Sequence, residues 1–348
     1  MSDITSDRES YPKAVEAEAL FEDGQRHHFK GLLDAADGVY TLVLDRVADH
    51  AGALLGKAQV AYAFKRHDDL FALLEKHDAV HGATADSLEL AASAHARLNQ
   101  KEQAERAATR SMALRPDSPV LSQMLSKMRL QGPTYMNALA AYHKTFQPKS
   151  YLEIGVDRGF SLELANNCPR PVGVDPDPRI AAKLADHSQV ERVTSDAFFA
   201  SYDGEPFEMI FVDGLHTAEQ SLKDMINAER VLAPGGSIFV HDVVPLTEQT
   251  QRDDRCTSFW SGTPWKAFLS LIKHRPDLNC MTLPCPPTGL GFIRRADPNS
   301  GPATIDNKVE EDMFRFIETV AYEDLPEDLS ELLRMRKDFK GFKKPGEA

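Results

Sequence analysis

Between residues 150 and 243 five short apolar runs follow one another: SYLEIGV, PVGVD, VERVTSD, FEMIFVDG and GGSIFVHDV. Stretches with helical spacing separate them. Alternating strand and helix signals leave few folds open, and they predict a parallel sheet covered on both faces. The runs end in acidic residues, at Asp175, Asp196, Asp213 and, after His241, Asp242. Open α/β sheets bind ligands at the carboxyl ends of their strands, where the strand order reverses. Function is therefore expected at those ends.

The chain ahead of these runs has a different grammar. From about residue 10 to 130 it is rich in alanine and leucine, poor in glycine and without β-branched clusters, which predicts helices. The segment Ala85–Ser118, with Leu88, Ala91, Ala92, His95, Ala104, Ala108 and Pro116 as landmarks, resembles a tetratricopeptide repeat, a unit of two antiparallel helices closed by proline. One period earlier, Leu54, Ala58, Ala61, Leu70 and Leu74 form a weaker copy; an unrelated helical bundle remains the alternative. QGPT at 131–134 and QPKS at 147–150 break the pattern around a helix-like YMNALAAYHKTF. The expected domains are an all-α repeat-like region over 1–131, an α/β domain over 132–298 and a helical C-terminal tail over 299–348. Within that tail VEEDMFRFIETVAY and PEDLSELLRMRKDF read as helices and KKPGEA as loose.

Composition excludes several classes. The 348 residues carry a net charge of −13. An acidic surface repels phosphate backbones and anionic lipid, so neither nucleic acid nor a membrane is an expected partner. No apolar run approaches the roughly 20 residues that span a bilayer. The polar start MSDITSDRES lacks the apolar core of a secretion signal. Cys168, Cys256, Cys280 and Cys285 show no metal spacing, and reduced thiols in a cytoplasmic protein is the economical reading.

In YLEIGVDRGFS, Gly155 and Gly159 follow the first strand, which carries Glu153. Asp157 replaces the middle glycine of a nicotinamide-binding turn. Asp175 lies about twenty residues on, where a carboxylate can accept both hydroxyls of a ribose. The series over Tyr151–Arg295 resembles the class I S-adenosylmethionine-dependent methyltransferases. The resemblance implies a Rossmann-like doubly wound sheet with a C-terminal antiparallel hairpin, here CMTLPCPPTGLGFIRR. It also implies that Glu153, Gly155, Gly159 and Ser161 cradle the methionine part of the cofactor, that Asp175 holds the ribose, that Asp196 faces the adenine amino group and that Asp213 borders the same site.

VDGLHTAEQSLKDM and FVHDVVP bring Asp213, His216, His241 and Asp242 to neighbouring strand ends. This resembles the metal-dependent O-methyltransferases that modify sugar hydroxyls of macrolides. The resemblance implies Asp213 as a magnesium ligand and His216 as general base, with a rate that rises through about pH 6–7 as the imidazole becomes neutral. That subfamily ends its fifth strand in a carboxylate pair, whereas this chain has His241–Asp242. His241 is then either a metal ligand with a catalytic part or a packing residue, and Asp242 is the stronger metal candidate. Trp260 is a candidate wall for an acceptor, and Trp265 a core residue. The expected acceptor is a small molecule or glycan. A protein methyltransferase recruited by the repeats, a non-catalytic scaffold and a homo-oligomer remain open alternatives.

Overall fold

The computed structural model describes residues 4–302 and 305–342. The KKPGEA end lies outside the described residues. The chain separates into two compact units, Met1–Leu121 and Ser122–Ala348.

The first unit is helical: α1 (Ile4–Phe29), α2 (Leu33–Arg46), α3 (Ala51–Ala63), α4 (His67–His81), α5 (Ala85–Arg97) and α6 (Lys101–Leu114). Successive helices pack as the pairs α1/α2, α3/α4 and α5/α6. Helices α3 and α5 start 34 positions apart, and so do α4 and α6, the period of a tetratricopeptide unit. Gly31, Lys65 and Asn99 repeat at the same spacing, each with positive φ (74°, 60° and 59°) in the turn inside its pair. A left-handed residue there reverses the chain within three or four positions. Small side chains let the helices approach: Ala58, Ala92, Ala104 and Ala108 are fully buried. Where Tyr40 crosses Gly56, an added Cβ would lie 2.5 Å from its ring.

The second unit begins within α7 (Pro119–Arg129), and α8 (Tyr135–Phe146) spans the YMNALAAYHKTF segment. The sheet contains β1 (Ser150–Ile154), β2 (Arg170–Val174), β3 (Gln189–Glu191), β4 (Phe207–Val212), β5 (Leu232–His241), β6 (Leu278–Leu283) and β7 (Leu290–Arg295). Its order is β3-β2-β1-β4-β5-β7-β6. Strands β1 to β5 pair in parallel, and the β6–β7 hairpin joins β5 antiparallel. The chain leaves β1 toward β2 and β3, then returns to β4 on its other side, so the order reverses between β1 and β4. Alternation along the strands sorts two cores. Leu152, Ile154, Ile210, Val212, Ile238 and Val240 face one cluster, while Tyr151, Met209, Phe211 and Phe239 face the other beside α8. Helices α9 (Ser195–Ser201), α10 (Ala218–Arg230), α11 (Pro264–His274) and α12 (Asn307–Thr319) complete the unit.

Three local expectations change. The segment after the glycine turn forms only a short 3-10 turn, Leu162–Ala165, because prolines and the start of β2 at Arg170 leave no room for a longer helix. The expected helix PEDLSELLRMRKDF is absent. Met335 bridges Thr282 on the edge strand β6, and the Arg336 N–H donates to the Thr282 carbonyl at 2.9 Å. Edge pairing and burial of Leu333 and Phe339 outweigh helix propensity there. The expected boundary at 131–132 falls ten residues inside the second unit, and Leu130 belongs to that unit's core. Among the described residues no helix is long and apolar enough to cross a membrane.

Candidate active site

β1 is central, so its residues are buried whatever their chemistry. Glu153 is fully buried. Its carboxyl accepts hydrogen bonds from the Tyr151 hydroxyl at 2.5 Å and the Ser161 hydroxyl at 2.8 Å. Burial pushes its pKa up to about 8, against the pull of those two bonds. Gly155 has φ +88°, and an added Cβ would lie 1.9 Å from the Asp213 carbonyl oxygen. Its bare Cα is thus required by the neighbouring strand end as well as by the cavity it lines. Gly159, φ +79°, faces Ile180, Ala182 and Leu184.

Asp175 follows β2 and organises the turn. One carboxylate oxygen accepts from the Val156 and Asp157 N–H groups, both at 2.9 Å, and the other from Asp177 N–H at 2.8 Å. A carboxylate has about four acceptor positions, so roughly one is left for a ligand hydroxyl rather than two. Asp196 lies in the first turn of α9, beyond the short β3, and accepts from the Gln220 amide at 3.0 Å. A cavity of 320 Å³ joins these groups, bounded among others by Gly155, Asp175, Asp196, Gly214, Gln220 and Asp224. That volume falls at the lower end of the range for ligand pockets, about 300–1,000 Å³.

Asp224 was not anticipated. It is 1% exposed on α10, accepts from Gln220 at 3.0 Å, and burial raises its pKa to about 6. The available signal was an acid inside the apolar stripe of Leu222, Met225 and Ile226.

The next turn holds the titratable cluster. The Asp213 N–H donates to the Ile154 carbonyl at 2.8 Å, which ties the end of β4 to β1. His216 Nε2 lies 3.2 Å from Asp213 Oδ1, and His216 Nδ1 lies 2.9 Å from Asp242 Oδ2. The second approach is close without hydrogen-bond geometry, and Nδ1 is buried with no hydrogen-bond partner. His241 Nδ1 stands 3.2 Å from Asp213 Oδ1 and 3.5 Å from Asp242 Oδ1. Both His216 (φ +63°) and Asp242 (φ +59°) are left-handed. Such residues each cost about 1–3 kcal/mol and gather at functional sites.

Electrostatics follow from the packing. Burial favours a neutral His216, but the nearby Asp213 and Asp242 carboxylates outweigh it and raise its pKa to about 11. The imidazole is therefore a cation near neutrality, not a group titrating at pH 6–7. Burial would raise the Asp213 carboxyl, yet His241 and His216 hold it well below its ordinary value. The His241 pKa is raised by Asp242 and Asp213 despite burial.

Neighbours brace this cluster. Trp260 stacks on His216 with centroids 5.2 Å apart and an interplanar angle of 12°. Trp265 is buried and donates to Gln251 at 2.8 Å. Gly262 has φ +66°, and a Cβ there would lie 2.1 Å from the His216 carbonyl. Tyr135, read from sequence only as part of a packing helix, places its ring 4.1 Å from His241. Burial, then the charges of Asp213, Asp242 and Glu153, push its hydroxyl well above the ordinary range.

Donor atoms of Asp213, His216 and Asp242 all lie within 4.8 Å of one another. Two carboxylates, an orphaned imidazole nitrogen and a second imidazole fit a divalent cation. They do not make the all-oxygen surroundings that magnesium prefers. The structure brings Asp213, His216, His241 and Asp242 to one cluster and sets Gly155, Asp175 and Asp196 along the neighbouring cavity.

No curated protein matches the chain. Among solved structures it resembles MamA from Desulfovibrio magneticus RS-1 (24% identity, 33% of this chain and 65% of that one, TM-score 0.31). It also resembles the tetratricopeptide domain of Arabidopsis OM64 (13%, 34% and 97%, 0.33) and the first such domain of human RPAP3 (20%, 32% and 88%, 0.31). The chain spans just under two thirds of the MamA length. Residues 152–243, from β1 through the end of β5, match the family described as a methyltransferase domain. Over β1 to β5 the α/β unit is accordingly similar to a methyltransferase domain.

Proposed function

We propose that the α/β unit transfers a methyl group from S-adenosylmethionine to a hydroxyl oxygen of a sugar or other hydroxylated metabolite. The observation that carries this reading is adjacency. The cavity beside Asp175, Asp196 and Asp224 and the Asp213–His216–His241–Asp242 cluster share the turn Asp213–Gly214, where the strand order reverses. Glu153, Gly155, Gly159 and Ser161 shape the methionine end, Asp175 takes a ribose hydroxyl, and Asp196 with Asp224 faces the adenine amino group. The Trp260 ring on His216 offers an apolar face of the kind that packs against sugars.

In the reaction the oxygen–methyl bond forms as the sulfur–methyl bond breaks, and the hydroxyl proton goes to His216. In-line placement of the two substrates supplies much of the acceleration. A cation held by Asp213 and Asp242 would acidify and fix a bound hydroxyl. His216 can accept a proton only when another positive charge answers the two carboxylates that now keep it protonated. Calorimetric titration with S-adenosylmethionine, followed by labelled-methyl transfer to glycosylated extracts, tests the reading. His216→Ala is expected to keep cofactor affinity and lose about 10²–10⁴ in rate. Absence of cofactor binding overturns the proposal, and label on polypeptide would favour a protein acceptor.

A further inference from the structure

The end of β5 supplies a nitrogen donor where an oxygen would suit magnesium. Magnesium takes octahedral oxygen surroundings and keeps several waters. Imidazole suits zinc, iron, nickel and copper, and affinity at nitrogen–oxygen sites rises along the first-row series. His241 sits between Asp213 Oδ1 at 3.2 Å and Asp242 Oδ1 at 3.5 Å.

Its orientation is set from behind. The Thr288 hydroxyl has a single proton, which it donates to Asp242 Oδ1. The same oxygen faces His241 Nε2 at 3.5 Å and can only accept from it. Nε2 then carries a proton, and Nδ1, which donates to Asp213 Oδ1 at 3.2 Å, is the nitrogen aimed between the two carboxylates, where a cation would replace its proton. An imidazole held through its outer N–H with its inner nitrogen turned to the carboxylates is the usual posture of a metal ligand. Strain adds an independent observation. Asp242 is left-handed, and the buried nitrogen of left-handed His216 meets its other oxygen at 2.9 Å without a hydrogen bond. The fold holds two uncommon backbone conformations to bring these donors together.

We propose that Asp213, His241 and Asp242 form a site for a borderline first-row cation of the Mn²⁺, Fe²⁺, Co²⁺ or Zn²⁺ class, selected over Mg²⁺ by the His241 nitrogen. The site's place in catalysis rests on the methyltransferase reading, whereas its donors do not.

The test uses the full-length protein stripped of metal and titrated with Zn²⁺, Co²⁺ and Mg²⁺ in turn, with the Co²⁺ form also followed by visible absorption. One Zn²⁺ or Co²⁺ per chain is expected, about a hundredfold or more tighter than Mg²⁺. Asp213→Asn combined with Asp242→Asn should remove that binding, which separates this centre from adventitious sites. His241→Glu should narrow the Zn²⁺-to-Mg²⁺ ratio about tenfold or more and alter the Co²⁺ spectrum. Comparable Mg²⁺ and Zn²⁺ affinities in the wild type overturn the proposal, as does a folded His241→Glu with an unchanged ratio. The wild-type comparison decides alone if His241→Glu does not fold. S-adenosylmethionine binding is measured in the same samples. Its absence overturns the methyltransferase reading and leaves the metal preference standing.

Discussion

Asp224 shows how one side chain couples the cavity to stability. Burial raises its pKa from 3.8 to about 6. The unfolded chain releases that proton at lower pH than the folded one. The favourable contribution is complete below about pH 4 and is lost as pH rises through about 6. At about 1.4 kcal/mol per unit, the loss is at most about 3 kcal/mol. Asp224→Asn does not titrate, so the variant should gain on wild type by up to that amount between pH 4 and pH 7. Urea denaturation at both values measures the gap, and a constant gap would give Asp224 an ordinary pKa. Gly155 makes a different case, because the Cβ of Gly155→Ala would meet backbone at 1.9 Å with φ at +88°. Strain and overpacking together should cost about 2–5 kcal/mol. The Asp213 turn would move with it, so cofactor affinity should fall in the same variant. Normal stability by denaturant titration would mean that the turn relaxes freely.

At the scale of elements, buried polar anchors hold the hairpin to the site. Arg295, on β7, donates to the Glu229 carboxylate at 2.7 Å, to the Glu229 carbonyl at 2.6 Å and to the Leu232 carbonyl at 3.0 Å. Both side chains are almost fully buried. Glu229→Ala leaves the guanidinium charge without its partner and should destabilise the α/β unit by about 3–5 kcal/mol in thermal or urea melts. A loss below about 1 kcal/mol would show that water and the backbone carbonyls of Glu229 and Leu232 are enough to satisfy the guanidinium. This anchor was invisible in sequence because 66 positions separate its members. The strand ends, by contrast, were legible: period, glycine and acid at the end of each run are local signals. Thr288 and Tyr135 were not, since nothing near them in sequence marks a contact with His241. The PEDLSELLRMRKDF segment misled for the same reason. Its helical composition yielded to the open edge of β6, which only the assembled sheet presents.

For the whole molecule, the question is where the chain can be cut. Each unit has its own apolar core: Ala17, Ala36, Tyr40, Val43, Ala53 and Val60 cluster in the first, and the two faces of the sheet define the second. A chain beginning at residue 119 retains α7 and should melt cooperatively and bind S-adenosylmethionine with near-native affinity. A chain beginning at 132, where glycine and proline mark a break in the sequence, removes α7 and its contacts within the second unit. Leu130 is 1% exposed within its core, and Arg129 donates to the Leu246 carbonyl at 2.7 Å. Loss of one buried leucine costs about 2–5 kcal/mol, and the Leu246 carbonyl keeps only its 3.3 Å hydrogen bond from the Tyr322 hydroxyl. The shorter chain should therefore melt well below the longer one while keeping the same cavity. Calorimetric melts of both, with cofactor titrations on each, check the expectation. Equal stability would place Leu130 outside the cooperative core, and an unfolded longer chain would show that the second unit needs the helical repeats to fold.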